Sequence, residues 1–385
     1  MNVDIKLVTG NLALNIKDSD LPFEDLCAFA ARQNTKRGFL FVSKVLGKHY
    51  PVKPCVMAQV HKLLAHKIHT ISKNLDNITF IGFAETAIGL GAGVFHTWQN
   101  LSRTNQIKNA FFIPTTRFHF DQPVVFEFKE EHSHATDQLI FQPREEKARE
   151  IFTQGETLVL VDDEISTGKT LFNFIEQFVE FNKNVKNVFL VSIKNWISDE
   201  NKNNIIHHFK DINIEFVSVL EGEFSFVKDE NFIVQTMPKL DGKTENKDYL
   251  FNTSALDNNI RFGNTSFINY NFDQFISTID LTKKTLVLGT NEYLVKPFFF
   301  AQELEKRGCE VFFQSTTRSP ILVEHDIDYK LISKDNYNDG MENYIYNVSS
   351  DLYEQIIICY ETKDKFGFDL DQQLGAINYF MEQDI

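Results

Sequence analysis

Two adjacent acidic residues follow a short apolar run near the middle of the chain. Residues 157–170 read Thr-Leu-Val-Leu-Val-Asp-Asp-Glu-Ile-Ser-Thr-Gly-Lys-Thr, so a buried strand leads into Asp162 and Asp163. These carboxylates could accept hydrogen bonds from vicinal hydroxyl groups or help to hold a hydrated cation. The residues that follow offer backbone N–H groups, hydroxyls and an ammonium at a helix start, which favours an anion: Ser166, Thr167, Gly168, Lys169 and Thr170. A ribose 5-phosphate, with its phosphate beside a diol, fits both parts.

Two other interpretations of this segment compete. A P-loop, Gly-x-x-x-x-Gly-Lys-[Ser/Thr], needs its first glycine at position 163, where Asp163 would repel the phosphates. The segment could also be a solvated strand-to-helix loop in which Asp or Ser caps the helix. Two acids directly after a fully apolar strand, followed by phosphate-compatible residues, argue against that second interpretation.

The stretch from Val161-Asp162-Asp163 to Thr167-Gly168-Lys169-Thr170 resembles the ribose-5-phosphate signature of type I phosphoribosyltransferases. The resemblance implies that the chain binds 5-phosphoribosyl-1-pyrophosphate with Mg²⁺ as cofactor. Asp162 and Asp163 would then be catalytic, contacting the ribose hydroxyls and the metal. Glu164 and the residues up to Thr170 would wrap the 5′-phosphate.

A pyrophosphate site is expected upstream, after earlier strands of the same sheet. The loop after Ile78–Gly82 supplies candidates for it: Ala84, Glu85, Thr86 and Ala87. Thr116 and Arg117 follow the next strand, and an arginine at a strand end can clamp pyrophosphate bidentately. The alternatives are an ordinary connecting loop and a surface arginine.

Residues 118–143 form a long segment without clear periodicity, which is typical of a lid. Orotate-type members of the family carry a hood with a lysine and a histidine, and Lys129 with His132 or His134 resembles that pair. A closing hood would exclude water from an oxocarbenium-like state, the lysine would neutralise the leaving pyrophosphate, and a histidine would move a proton. The alternative is a solvated, charged loop.

The acceptor would lie near Lys194, which follows another strand. Trp196 could stack on a base or pack in the core, and the run Arg37–Val52 is a weaker candidate for the same pocket.

Short β-rich runs alternate with helical patterns, which predicts an α/β protein with a Rossmann-like parallel sheet. The predicted strands are Ile78–Gly82, Asn109–Pro114, Thr157–Val161, Asn187–Ile193, Ile214–Leu220, Thr285–Gly289, Glu310–Ser315 and Gln355–Tyr360. The predicted helices are Val56–Leu75, Ile88–Leu101, Glu145–Phe152, Thr170–Phe181 and Lys296–Arg307. A polar stretch divides the chain into a phosphoribosyltransferase domain (1–237), a linker (238–262) and a second α/β domain (263–385).

The composition of the chain limits the classes of partner that it is expected to bind. A net charge of −14 over 385 residues argues against binding to nucleic acid. Four widely spaced cysteines fit a reduced interior, and neither a signal peptide nor a membrane-spanning apolar run is seen. We therefore expect a cytoplasmic protein whose partners are small molecules, with self-association into a homo-oligomer left open.

Three segments together carry a narrower resemblance: the run 37–52, the segment 130–136, and Thr317-Arg-Ser-Pro320. They resemble the phosphoribosyltransferase subfamily found with bacterial tellurium-resistance and stress-response gene clusters, which has a C-terminal domain named for its Thr-Arg-Ser-Pro motif.

The second domain is also predicted to be a degenerate copy of the first. Ile81–Thr86 matches Leu288–Tyr293, and Phe111–Arg117 matches Phe312–Arg318. The strand entering Asp162-Asp163 matches the strand entering Tyr360-Glu361, where the acidic pair and the phosphate loop are gone.

The function predicted is transfer of the phosphoribosyl group to a nucleobase-like nitrogen acceptor with release of pyrophosphate. A sensor that binds the same donor without turnover is the alternative, and the hood favours catalysis over it. A pyrophosphokinase is a third possibility, suggested by the two-domain layout but without an evident ATP-binding feature.

Overall fold

A computed structural model describes residues 1–32, 37–103, 109–128, 138–232, 258–266, 269–338, 340–363 and 365–381. Its strands are β1 (Asn2–Leu7), β2 (Gly10–Ser19), β3 (Cys27–Ala31), β4 (Phe39–Ser43), β5 (Ile78–Gly82), β6 (Ala110–Pro114), β7 (Val124–Phe128), β8 (Gln138–Phe141), β9 (Thr157–Ile165), β10 (Asn187–Asn195), β11 (Asn213–Lys228), β12 (Thr285–Gly289), β13 (Val311–Ser315), β14 (Lys330–Lys334), β15 (Glu342–Tyr346), β16 (Gln355–Tyr360) and β17 (Ile377–Phe380). Its α-helices are α1 (Phe23–Leu26), α2 (Pro54–Ile71), α3 (Ala87–Arg103), α4 (Glu146–Gln154), α5 (Lys169–Phe181), α6 (Asp199–His208), α7 (Asn258–Arg261), α8 (Asp273–Ile276), α9 (Val295–Lys306) and α10 (Leu370–Leu374). Within these ranges no helix is both long and apolar enough to cross a membrane.

A seven-stranded sheet forms the first half, in the order β1-β2-β11-β10-β9-β5-β6. The five strands from β11 to β6 are parallel, and the β1–β2 hairpin extends the sheet in the antiparallel sense. Every residue of β5 and β6 is buried, as expected for parallel strands covered on both faces. The α/β class and the parallel sheet predicted from the sequence are confirmed.

A second sheet, parallel throughout, has the order β13-β12-β16-β17. It repeats the order β6-β5-β9-β10 of the first, and in both halves a two-stranded hairpin (β7–β8, β14–β15) lies between the second and third matching strands along the chain. The register agrees as well, since Leu288 pairs with Ile358 as Ile81 pairs with Leu160. The second half therefore repeats the first, as the sequence landmarks predict.

One apolar core joins the two halves. Helices α2 and α3 pack on the first sheet, α9 packs on the second, and α9 also contacts α2 and α3. The cluster of buried side chains runs from Val161 in β9 through Leu294 to Ile357 in β16. A Cβ atom on Gly89 of α3 would lie 2.4 Å from Cδ1 of Leu294, so a larger residue at position 89 would require the Leu294 side chain to move. An apolar interface of this kind opposes independent motion of the halves.

The predicted linker lies mostly outside the described residues. Its end forms α7, and Arg261 is buried there. Phe262 is also buried, with its ring 5.7 Å from Phe120 and 6.1 Å from Phe141. This end of the segment is therefore packed against the first half. The domain limits stay a prediction.

Candidate active site

Three strands of the first sheet end side by side and bring the predicted loops to one edge. Gly82 at the end of β5 pairs with Val161 of β9. The N–H of Phe83 donates to the carbonyl of Val161 at 3.0 Å, and that of Thr115, after β6, donates to the carbonyl of Gly82 at 2.9 Å. The loops after β5, β6 and β9 therefore start from neighbouring positions.

The acidic pair lies within β9, which continues beyond Val161 to Ile165. Asp162 and Asp163 are half-buried, and the Asp163 N–H donates to Oδ1 of Asp162 at 2.9 Å. Burial raises the pKa of Asp163, and the charge of Glu164 adds to the effect, while Lys194 opposes it. The pair is thus a site of negative charge that a bound cation or hydroxyl donor would stabilise.

Glu164 is held by two cations. Its Oε1 lies 2.5 Å from Nη2 of Arg37, and its Oε2 lies 3.8 Å from Nζ of Lys194. Lys194 is fully buried and donates to the carbonyl of Phe41 at 2.9 Å. The structure therefore places Lys194 beside Glu164, the residue that follows the acidic pair. The buried Trp196 stacks on Phe41 at 4.6 Å, which is core packing.

The phosphate-compatible segment turns from β9 into α5. Gly168 caps α5 with φ of +75°, and a Cβ atom there would lie 2.7 Å from Cδ1 of Ile197. Ser166 is half-buried and Thr167 is exposed; the N–H groups of residues 166–168 donate to no other described residue. Lys169 and Thr170 form the first turn of α5, and the N-terminal end of a helix favours anions.

The predicted pyrophosphate loop is tied to the neighbouring strand end. The N–H of Ala84 donates to Oγ1 of Thr115 at 2.7 Å, and Nη2 of Arg117 donates to the carbonyl of Ala84 at 3.3 Å. The Ala84–Glu85 peptide bond is cis. Thr86 is half-buried, and Ala87 begins α3. The loop and Arg117 are therefore adjacent, as the sequence predicts.

The carboxylate of Glu85 is buried and paired. Nζ of Lys48 lies 2.7 Å from its Oε1, and the N–H of Arg318 donates to its Oε2 at 3.4 Å. Burial would raise the pKa of Glu85, but the Lys48 ammonium and the nearby Arg318 and Arg117 hold it below its usual value. Glu85 thus anchors its loop through internal contacts.

Thr116 and Arg117 are held by a residue of the second half, Glu292. Oγ1 of Thr116 donates to Oε2 of Glu292 at 2.5 Å, and the N–H of Arg117 donates to Oε1 at 2.8 Å. Thr116 also forms an antiparallel bridge with Leu139 of β8. The described part of the predicted hood (118–143) therefore contacts the end of β6. Lys129, His132 and His134 lie outside the described residues.

Sequence reasoning assigned no role to Lys48, Arg37 or Glu292. Glu292 had a signal, because it takes the place of Glu85 in the repeated Gly-x-x-Glu pattern. Lys48 and Arg37 had none beyond their place in the acceptor candidate 37–52.

The donor set suits Mg²⁺ bound through a substrate. Asp162 and Asp163 are adjacent hard oxygen donors, and Mg²⁺ usually takes one or two carboxylates together with substrate oxygens and waters. In the described part of the chain, no group of three or more metal-ligating side chains encloses an ion. The residues present therefore fit a metal shared with a phosphorylated ligand.

Comparison with known families decides the class. Residues 26–223, just over half of the chain, match the model of the PRTase_2 phosphoribosyl transferase family. The chain belongs to this family. Residues 268–369 match the TRSP domain, which lies C-terminal to PRTase_2. The family resemblance predicted from the sequence is therefore confirmed. No curated protein matches the chain.

Several solved structures are similar to this chain. An adenine phosphoribosyl transferase of Trypanosoma brucei is 12% identical over 51% of this chain and 77% of its own, with a TM-score of 0.35. The adenine enzyme of Leishmania donovani is 14% identical over 50% and 75%, at 0.34. The orotate phosphoribosyltransferase of Francisella tularensis is 16% identical over 43% and 66%, at 0.26. Membership of the family rests on the match over residues 26–223.

Proposed function

We propose that the chain is a Mg²⁺-dependent enzyme that transfers the phosphoribosyl group of 5-phosphoribosyl-1-pyrophosphate to a nucleobase-like nitrogen acceptor. The observation that carries this proposal is the convergence of the loops after β5, β6 and β9 at one sheet edge. Membership of the phosphoribosyl transferase family supports it.

In this proposal the donor lies across the three loops. The 5′-phosphate binds the N–H groups and hydroxyls at the start of α5, and Lys169 balances its charge. Asp162 and Asp163 accept hydrogen bonds from the ribose hydroxyls and hold Mg²⁺, which would supply positive charge to the pyrophosphate oxygens. Loop 84–87 and Thr116 line the pyrophosphate position, and the guanidinium of Arg117 pairs with the pyrophosphate.

The acceptor nitrogen attacks C1 of the ribose while the bond from C1 to the pyrophosphate oxygen breaks. The electron pair of that bond leaves with pyrophosphate, and the proton on the acceptor nitrogen passes to a base. In the proposal Lys129 neutralises the leaving group and His132 or His134 carries the proton. Lys194 and Arg37, beside Glu164, border the acceptor position. We also propose a cytoplasmic location. The resemblance of the motifs further suggests a role in tellurium resistance and stress response.

The test is incubation of the protein with Mg²⁺, the donor and a panel of bases, with pyrophosphate release followed. Release that depends on one base is the expected result, and the nucleotide formed identifies the acceptor. Donor binding in calorimetry without release on any base would favour the sensor. No donor binding would overturn both functions.

A further inference from the structure

Positions in the two halves correspond through the shared register. Counting onward from the paired strands, Glu292 takes the place of Glu85, and Glu361 takes the place of Asp163. The count extends the equivalence that the strand order already shows.

Local hydrogen bonds check this correspondence. The N–H of Asn291 donates to Oγ1 of Thr316 at 2.9 Å, just as that of Ala84 donates to Oγ1 of Thr115 at 2.7 Å. The equivalent positions therefore share their local geometry.

The halves exchange equivalent contacts across their interface. The N–H of Arg318 donates to Glu85 at 3.4 Å, and the equivalent N–H of Arg117 donates to Glu292 at 2.8 Å. Each loop glutamate thus accepts a hydrogen bond from the other half's Thr-Arg turn. The two copies are related by an approximate twofold exchange within one chain.

The edge strands show the same exchange. Phe112 of β6 forms an antiparallel bridge with Asn264, which precedes the second half. The equivalent Phe313 of β13 forms one with Val52, which precedes α2. The segment that precedes the first matching strand of each half, β5 or β12, therefore covers the edge of the other half's sheet.

In the second half, Glu361, which corresponds to Asp163, is paired with buried side chains. Nε and Nη2 of Arg261 donate to the two carboxylate oxygens of Glu361 at 3.1 and 2.8 Å, and the hydroxyl of Tyr337 donates to Oε2 at 2.9 Å. All three side chains are buried. Burial opposes the charge of Arg261, but Glu361 and Glu292 raise its pKa well above its usual value. A buried carboxylate that already accepts three hydrogen bonds has little capacity left for the hydroxyl groups of a ligand.

We propose that the second half is a copy whose own ribose site is closed and which packs against the first half as a second subunit would. We propose further that its Glu292 is a positioning residue of the donor site. Arg261 closes the second site and also lies 2.5 Å from Oε2 of Glu292. The Glu292 carboxylate also holds Thr116 and Arg117, so closure of one site and support of the other share one arginine. One chain then binds one donor. This inference rests on the proposed function.

The test compares Glu292→Gln with Glu310→Gln, an exposed glutamate of the second half, in the full-length chain. Glu292→Gln should raise the donor KM about tenfold with a much smaller change in kcat, because Thr116 and Arg117 lose the carboxylate that holds them in place for the pyrophosphate. Glu292→Asp should recover part of the loss. Glu310→Gln should behave as the wild type. If Glu292→Gln fails to fold, Glu292→Asp gives the same KM comparison.

Calorimetry with donor and Mg²⁺ supplies the second measurement. One donor per wild-type chain, and none in the Asp162→Asn/Asp163→Asn variant, is the expected result. A second donor per chain, or a Glu292→Gln variant (or Glu292→Asp, where Glu292→Gln does not fold) whose KM equals that of Glu310→Gln, would overturn the inference while leaving the proposed function intact. A wild-type chain that binds no donor would remove the proposed function and the inference with it.

Discussion

The ammonium of Lys48 lies 2.7 Å from Oε1 of Glu85, and both side chains are buried. The same ammonium donates to the carbonyls of Asn291 and Thr316 in the second half at 3.0 and 2.9 Å. Lys48 thus joins loop 84–87, the predicted pyrophosphate loop, to the second half.

Removal of this ammonium should be costly. Lys48→Met leaves the Glu85 carboxylate and two carbonyls buried without their donor, so the free energy of unfolding should fall by about 3–5 kcal/mol. Lys53→Met, at an exposed lysine, should change it little. Chemical denaturation measures both, and equal effects would show that the pair contributes nothing specific.

The same pair makes stability depend on pH. The pKa of Glu85 lies below its usual 4.5, because Lys48 outweighs the burial that would raise it. As pH falls below that usual value, the unfolded chain takes up a proton before the folded one, so the pair's contribution is lost on acidification. In Glu85→Gln the fall in unfolding free energy from pH 5 to pH 3 should be shallower than in the wild type; an unchanged slope would contradict this.

The turn at Gly168 should not tolerate a side chain. Gly168→Ala forces an L-residue into φ of +75° at about 1–2 kcal/mol, and its Cβ would meet Ile197 at 2.7 Å. Gly375 has φ of +62° with nothing near its Cβ position, so Gly375→Ala should carry only the backbone cost. A thermal shift for Gly168→Ala no larger than for Gly375→Ala would refute the steric argument.

The close approach at Gly89 predicts coupling between the halves. Gly89→Ala should be destabilising because its Cβ would lie 2.4 Å from Cδ1 of Leu294, and overpacking a core costs about 1–3 kcal/mol. With Leu294→Ala in the background, the same change should be neutral or stabilising. A double-mutant cycle in urea measures this, and additive effects would mean that α3 and Leu294 do not meet.

The buried His61 and the half-buried His96 should weaken the fold at mildly acidic pH. Burial lowers the pKa of His61 from 6.5 to about 3 and that of His96 to about 4. Between pH 6.5 and these values the unfolded chain binds protons that the folded chain does not, so stability falls by up to ~1.4 kcal/mol per pH unit for each histidine. His61→Leu should flatten the slope, whereas His66→Leu, at an exposed position on the same helix, should keep it.

The acidic pair should favour donor binding while lowering the stability of the folded chain. Asp162→Asn/Asp163→Asn should weaken donor binding by several kcal/mol, since hydrogen bonds to charged groups contribute ~1.5–3 kcal/mol each. Because burial raises the pKa of Asp163, its charge opposes folding at neutral pH, so the variant should unfold at a higher temperature. Asp211→Asn, at an exposed aspartate, serves as the control for both measurements. Unchanged calorimetric affinity in the double variant would remove the acidic pair from the donor site.

Buried parallel strands were the most predictable part of the fold. The bounds of β5, β12 and β16 agree with the sequence, because strands covered on both faces are continuous apolar runs. Strand β9 extends beyond its apolar part. Glu164 still pairs with Lys194 of β10, because pairing between strands uses the backbone and does not require an apolar side chain. The β1–β2 hairpin alternates exposed and buried residues and was not recognised.

The candidate site divides in a similar way. Its loops could be located because the carboxyl ends of parallel strands meet at one edge of a sheet. The ion pairs of Lys48 and Arg261 could not be predicted, because most lysines and arginines lie on the surface and the sequence does not reveal which of them are buried beside a carboxylate.

The bridge between Phe112 and Asn264 has a consequence for how the chain is made. Strand β6 ends its sheet, and an open strand edge is a template for pairing with other chains. Its cover lies about 150 residues further on, which takes the ribosome roughly 8–30 s to add at ~5–20 residues per second. During that interval each nascent chain carries an uncovered edge, so neighbouring ribosomes on one message hold several such edges close together. Slow synthesis between residues 112 and 264 should therefore favour aggregation, and faster synthesis should favour soluble protein.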